Sequence, residues 1–192
     1  MIKINLPTSE EEIRQLKLGD EVSISGIMVT GRDAAHKYLM ETEGEEVRQL
    51  LKNNFIYHCG PVIKKEGDEY KFVAAGPTTS IREEPYQGPV FEKYQVRAAI
   101  GKGGMGPKTL AACQAVGAVY LHAIGGLGSK LAVCVKKVHD VHKLEEFGSP
   151  EAFWVIEVED FPAVVTMDSH GGSLHAEIKK SSSAVLERLL GK

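Results

Sequence analysis

Cysteine is scarce in this chain: Cys59, Cys113 and Cys134 are the three in 192 residues. An odd number argues against a closed disulfide framework, and without a Cys-x-x-Cys pair there is no local zinc or iron–sulfur motif. The three are expected as small buried hydrophobes, so metal chemistry would have to come from elsewhere. Positive charge is not concentrated either. The net charge is −3 and no basic block interrupts the chain, which removes the bulk electrostatic reason for a nucleic-acid partner. No apolar run approaches the roughly 20 residues that span a bilayer. Met1-Ile2-Lys3-Ile4-Asn5 lacks the longer apolar core of a signal peptide, and a cytoplasmic location is expected. Internal repeats, low-complexity stretches and long linkers are missing. What is present, 43% hydrophobic and 26% charged residues, suits a globular protein, and the length suits one domain over residues 1–192.

Ser9 followed by Glu10, Glu11 and Glu12 marks a helix start, because acids stabilise a first turn. Residues 21–30 alternate and are β-branched, which predicts a strand. Asp33 is expected to cap a helix over 34–40, followed by a second over 45–51. Residues 55–63 and 70–75 read as two strands of a hairpin joined at Glu66-Gly67-Asp68. Ser80-Ile81-Arg82-Glu83 has the spacing of a capping box, and Pro85 with Gln87-Gly88-Pro89 is expected to keep that helix short. A buried strand follows at 96–100, and Pro107 opens a helix through Val116. Further strands are expected at 118–124, 135–141, 153–158 and 163–167, and helices at 127–134 and 183–190. Strands alternate with helices only in the middle, which predicts an α/β domain: a mixed sheet with helices packed on it.

Three times a strand-like run ends in a tight turn that carries one basic residue and opens into a helix. The turns are Val29-Thr30-Gly31-Arg32-Asp33, Gly76-Pro77-Thr78-Thr79-Ser80-Ile81-Arg82 and Gly101-Lys102-Gly103-Gly104-Met105-Gly106-Pro107. Each sets a cation beside a helix N-terminus, where free N–H groups already favour negative charge. Singly, Arg32 would be a surface arginine and Thr78 a turn residue. Together, Arg32, Arg82 and Lys102 with the hydroxyls of Thr78 and Thr79 describe a pocket for an anion with more than one charged group. Two guanidinium forks and an ammonium suit a small dicarboxylate.

Other motifs carry less. Gly101-x-Gly103-x-x-Gly106 matches a dinucleotide fingerprint, but residues 119–134 contain no Asp or Glu for the ribose. Gly106-Pro107-Lys108-Thr109 imitates the end of a phosphate loop with a proline in the wrong place; a flexible turn before a helix is the plainer reading. Asp168-Ser169-His170 has the letters of a hydrolase triad, yet triad members normally come from separate segments, and a Gly-rich turn fits better. His122 and His139 show no metal-ligand spacing.

The stretches Thr30-Gly31-Arg32-Asp33-Ala34-Ala35-His36-Lys37, Tyr57-His58-Cys59-Gly60-Pro61, Gly76-Pro77-Thr78-Thr79-Ser80-Ile81-Arg82 and Gly101-Lys102-Gly103-Gly104-Met105-Gly106 carry a resemblance. Through them the whole chain resembles the beta subunit of two-subunit, iron–sulfur class I fumarate hydratase. The related L-tartrate dehydratase beta subunit shares most of these stretches but has Cys where this chain has Gly31, so Gly31-Arg32-Asp33 favours fumarase. The resemblance implies a swivelling β/β/α domain and reversible hydration of fumarate to L-malate, a step of the tricarboxylic acid cycle. It implies an alpha subunit as partner, in an assembly of two alpha and two beta chains. That partner would hold a 4Fe-4S cluster through its own three cysteines, with no metal on this chain. Carried over by motif, Arg32, Arg82 and Lys102 are implied to bind substrate carboxylates, and Thr78 to transfer the proton at carbon. Asp33 and Thr79 would be supporting, Asp33 first of all as a helix cap. The alternatives are a tartrate dehydratase beta subunit and a non-catalytic dicarboxylate-binding module.

Overall fold

A computed structural model describes residues 1–43 and 45–191, with only the backbone at Glu46. Nine strands and eight α-helices alternate along the described residues: β1 (Ile2–Leu6), α1 (Glu10–Ile13), β2 (Glu21–Thr30), α2 (Asp33–Glu41), α3 (Glu45–Leu51), β3 (Phe55–Tyr57), β4 (Val62–Glu66), β5 (Glu69–Ala74), a 3-10 turn (Ser80–Glu83), α4 (Glu84–Tyr94), β6 (Ala98–Gly101), α5 (Pro107–Val116), β7 (Val119–His122), α6 (Gly128–Ala132), β8 (Val135–His142), α7 (Leu144–Phe147), β9 (Phe153–Met167) and α8 (Leu174–Leu189). The molecule is mixed α/β, as the alternation predicted.

Seven strands form one sheet in the order β1-β2-β3-β6-β7-β9-β8. β9 also pairs antiparallel with β2, from Glu21↔Val164 to Val29↔Val155, so the sheet closes on itself. Alternation along the strands then sorts side chains into an inside and an outside. Ile24, Met28, Tyr57, Ile100, Leu121, Trp154 and Phe161 fill the interior. Val29, Ile56, Ala99 and Tyr120 point outward and meet α2, α3, α4 and α5 through Leu39, Leu51, Phe91 and Cys113. At Gly26, φ is +117° and a Cβ would stand 2.6 Å from the Leu6 carbonyl oxygen, so only glycine lets β1 approach β2 there.

Several sequence expectations are corrected. Residues 55–63 are not one strand: β3 ends at Tyr57, and β4 pairs with β5 in a separate two-stranded sheet. The runs 153–158 and 163–167 are one continuous β9. It passes a bulge at Asp160 (φ +50°), held by Ser23 Oγ to Asp160 Oδ1 at 2.9 Å and by the Asp160 N–H to Ser25 Oγ at 3.1 Å. α4 runs through Gly88 and Pro89 for 11 residues instead of stopping short. A Cβ on Gly88 would lie 3.4 Å from Ala112 Cβ, so the glycine sits at the close contact of α4 with α5. α8 begins nine residues before the expected Ser183, at Leu174, and strand β1 was missed.

Candidate functional site

β1, β2, β3, β6 and β7 run parallel to one another, so β2, β3, β6 and β7 end on the same edge of the sheet. Ligands bind at the carboxyl ends of parallel strands in open α/β sheets and in closed barrels alike. Gly31-Arg32 leaves β2, His58-Cys59-Gly60 leaves β3, Lys102–Gly106 leaves β6 and Ala123–Gly126 leaves β7. The second cation-bearing turn is threaded between two of these. The Thr78 N–H donates to the His58 carbonyl at 2.6 Å, the Lys102 N–H to the Thr78 carbonyl at 3.1 Å and the Ser80 N–H to the Lys102 carbonyl at 2.9 Å. Thr78 and Lys102 are therefore hydrogen-bonded neighbours, although 24 positions apart in sequence.

Arg32 and Arg82 come to the same edge from different elements. The Arg32 side chain is about one-fifth exposed and lies over Gly60, whose missing Cβ would occupy the place of Arg32 Nη1. Its Nε stands 3.4 Å from Glu151 Oε1 and makes no hydrogen bond. Arg82, 54% exposed, is ion-paired to Asp33. Lys102 is half-buried, with Gly125 against its stem. Two clefts of the chain lie elsewhere, one between β5 and β8 and one between β1 and α1. Ile81 and Ile124, in the second turn and after β7, are about half exposed beside the edge with the cations.

Three local expectations fail here for one reason: partners from distant parts of the chain take the groups that the local sequence seemed to leave free. Asp33 is not the cap of α2. Arg32 occupies that position without a capping bond, and Asp33 turns to Arg82. The Ala34 N–H is taken instead by Glu151 Oε2 at 2.9 Å. Ser80–Glu83 forms no capping box: Thr79 precedes the turn with no side-chain cap, and Ser80 Oγ is engaged by His58 Nδ1 at 2.8 Å and Tyr120 OH at 2.9 Å. The start of α5 is closed by Glu84, which accepts from the N–H groups of Gly106 (2.7 Å), Lys108 (2.9 Å) and Thr109 (3.3 Å) and from the Thr109 hydroxyl (2.6 Å). Helix N-termini at the first and third turns are thus already served by carboxylates. Arg32, Arg82, Lys102, Thr78 and Thr79 are polar side chains that the three turns carry at this edge.

Beneath the edge lies a polar layer that residue patterns did not reveal. His36, His58, Ser80, Glu83 and Gln87 are buried between α2, α4 and the strand ends. His36 Nδ1 faces the Arg32 carbonyl, and Nε2 of both His36 and His58 faces the Gln87 amide, all at 2.9 Å. Burial lowers the pKa of His36, and burial with the neighbouring His36 lowers His58 to about 3. Burial, reinforced by Asp33, pushes the Glu83 carboxyl up to about 8. His36 and His58 did stand inside the matching stretches; their spacing from Gln87, 51 and 29 positions, gave no local signal.

Cys59 and Cys113 are fully buried, and burial raises both thiols, Cys59 to about 12. Among the described residues no three His, Cys, Asp or Glu side chains converge as a metal site. Asp168 accepts from the N–H groups of His170 and Gly172 and so shapes a turn. No described helix is long and apolar enough to cross a membrane.

The fold and this edge define a class: a mixed α/β domain that presents cationic side chains at the carboxyl ends of parallel strands. The model of the Fumarase C-terminus family matches residues 1–178, and the chain belongs to that family. It is 55% identical over 190 residues to a putative class I fumarate hydratase of Geobacillus stearothermophilus, covering 98% of this chain and 36% of that protein. The chain thus spans about a third of the length of that relative. It is 39% identical over 186 residues to a putative L(+)-tartrate dehydratase subunit beta of Methanocaldococcus jannaschii, covering 95% of each. The L(+)-tartrate dehydratase subunit beta of Escherichia coli is 36% identical over 178 residues, covering 92% of this chain and 88% of its own length.

Proposed function

We propose that this chain is the beta-type part of a two-part hydro-lyase that interconverts fumarate and L-malate. Arg32, Arg82 and Lys102 grip the carboxylates, Thr78 moves the proton at carbon, and Thr79 supports the turn. The observation that carries this reading is the threading of Thr78 beside Lys102 at the strand edge that also receives Arg32 and Arg82. Taking a proton from the carbon next to a carboxylate builds negative charge on that carboxylate. Fixed cations that bind it more strongly in the transition state lower the barrier. A threonine hydroxyl is a weak base and needs an activating neighbour. That neighbour comes from the partner in this reading, and exposed Ile81 and Ile124 offer apolar surface for its docking.

The partner in this reading is an alpha-type chain that carries the 4Fe-4S cluster and contributes its Lewis-acid chemistry. The described residues of this chain do not fit the cluster: burial raises all three thiols, and no set of ligands converges around them. The names of two relatives support the beta-subunit assignment, and the 55% identical relative supports fumarate. Gly31 adds to it. A Cβ there would stand 2.9 Å from Ile56 Cδ1 and 3.3 Å from Ala35 Cβ, so the Cys of the tartrate dehydratase pattern would force a shift.

Co-expression with an alpha-type chain, followed by assays with L-malate and L-tartrate, tests the proposal. Turnover of malate by the pair, and by neither chain alone, is expected. Preference for tartrate would reassign the substrate. Dicarboxylate binding without turnover by the assembled pair would make the chain a binding module.

A further inference from the structure

His36, His58 and Gln87 match one another's donors and acceptors in only one neutral arrangement. The Arg32 carbonyl can only accept, so His36 Nδ1, 2.9 Å away, carries a proton. If His36 is neutral, its Nε2 is an acceptor and the Gln87 group facing it must donate. As placed, that group is Oε1, and Gln87 Nε2 is buried with no partner. This placement would make His36 a cation, 3.7 Å from a Glu83 carboxylate, with both side chains at zero exposure. A dry ion pair with few supporting hydrogen bonds is costly. Turning the amide by half a rotation leaves His36 neutral, and Glu83, buried without a cationic His36 beside it, keeps its proton. The amide NH2 then donates to Nε2 of His36 and of His58, and of the Gln87 amide only the carbonyl oxygen is left without a partner, a more tolerable orphan than an N–H group. The directions of the two buried shifts agree, since burial lowers His36 and raises Glu83.

We propose that Gln87 is a positioning residue whose amide NH2 fixes His36 and His58 as neutral Nδ1–H tautomers, so that one amide on α4 ties together the turns that carry the cations. His36 Nδ1–H holds the Arg32 carbonyl of the first turn. His58 Nδ1–H donates to Ser80 Oγ of the second. Tyr120 OH donates to the same oxygen, and the Gly104 backbone of the third turn interacts with that phenol. Ser80 Oγ accepts twice, which its two lone pairs allow. Gly101 is bare where a Cβ would run into Ser80 Oγ, so the layer reaches under β6 as well.

Long-range 1H–15N spectra of the full 15N-labelled chain test the tautomers. Expected for both rings are a protonated Nδ1 and an unprotonated Nε2. A doubly protonated His36, or Nε2–H on either ring, overturns the assignment. Gln87→Glu can donate to at most one of the two rings, so at least one of them should gain a proton on Nε2 in that variant. Hydrogen exchange tests positioning with Gln87→Met. The amides of His36, Ser80 and Gly104 should exchange at least about tenfold faster together, while the centre of β9 keeps its protection. Faster exchange confined to α4, or spread evenly over the chain, overturns the linkage. Both readouts are independent of catalysis. Only a third arm, at least about tenfold lower malate turnover by Gln87→Met in the assembled pair, rests on the proposed function. Wild-type pairs without turnover but with the expected spectra and exchange would refute that function and leave this proposal standing. Wild-type turnover in folded Gln87→Met would refute the positioning role.

Discussion

Replacing Glu83 by glutamine should flatten the pH dependence of folding. Glu83 is at zero exposure, neither oxygen has a well-formed hydrogen bond, and its carboxyl is pushed from 4.5 up to about 8 by burial and then by Asp33. The folded chain therefore keeps a proton that the unfolded chain releases. Stability is greatest below the unfolded value and falls as pH rises from about 4.5 towards about 8. The slope is at most about 1.4 kcal/mol per pH unit. Between about pH 5.5 and about pH 7.5 wild-type stability should then drop by roughly 2 kcal/mol from this group alone. Glutamine keeps the shape and stays neutral at every pH. Relative to wild type, Glu83→Gln should gain roughly 2 kcal/mol over the same interval. Guanidinium unfolding followed by the fluorescence of Trp154, the single tryptophan and fully buried, gives the measurement at each pH. A difference between the two proteins that stays constant with pH would refute the reasoning, because it would mean that Glu83 is ionised in the folded chain.

Arg82→Lys keeps the charge but loses the planar fork that now meets Asp33. It should lower kcat/KM of the assembled pair roughly 30- to 150-fold, or about 2–3 kcal/mol, and near-normal activity would return Arg82 to the role of a surface residue. Thr78→Ala should cut kcat steeply with little change in KM, the mark of an interaction made in the transition state. Thr79→Ala, in the same turn, should have a much smaller effect on kcat, and equal small effects would end the catalytic role of Thr78. Gly60→Ala places a Cβ where Arg32 Nη1 lies and 2.9 Å from the Pro150 carbonyl oxygen, so Arg32 has to leave its position beside Glu151. Its KM for dicarboxylates should rise by about tenfold, the cost of one charged hydrogen bond, while circular dichroism stays native; an unchanged KM in a folded variant would remove Arg32 from the binding site.

Local chemistry determined the parts of this protein that depend on neighbours in sequence. The alternation of Glu21–Thr30 fixed β2 at its observed ends, proline at the first position opened α5, and Ser9 with Glu12 made a true capping box. The three glycine-containing turns were legible too, because a strand that stops beside a helix start leaves a recognisable mark. Other features depend on which distant groups meet, and there the sequence was silent or misleading. Ser80 and Glu83 have capping-box spacing, yet Ser80 is claimed by His58 and Tyr120, 22 and 40 positions away. Glu151 and Glu84 reach helix starts 117 and 22 to 25 positions away, so they take the N–H groups that the turns seemed to offer to a ligand. A 15-residue β9 crosses a bulge and closes the sheet on β2, a pairing that no local period encodes. Periodicity and turn chemistry are written into neighbouring residues. The satisfaction of buried donors and acceptors is settled only when the chain has folded, and it placed Gln87 between two histidines under the candidate site.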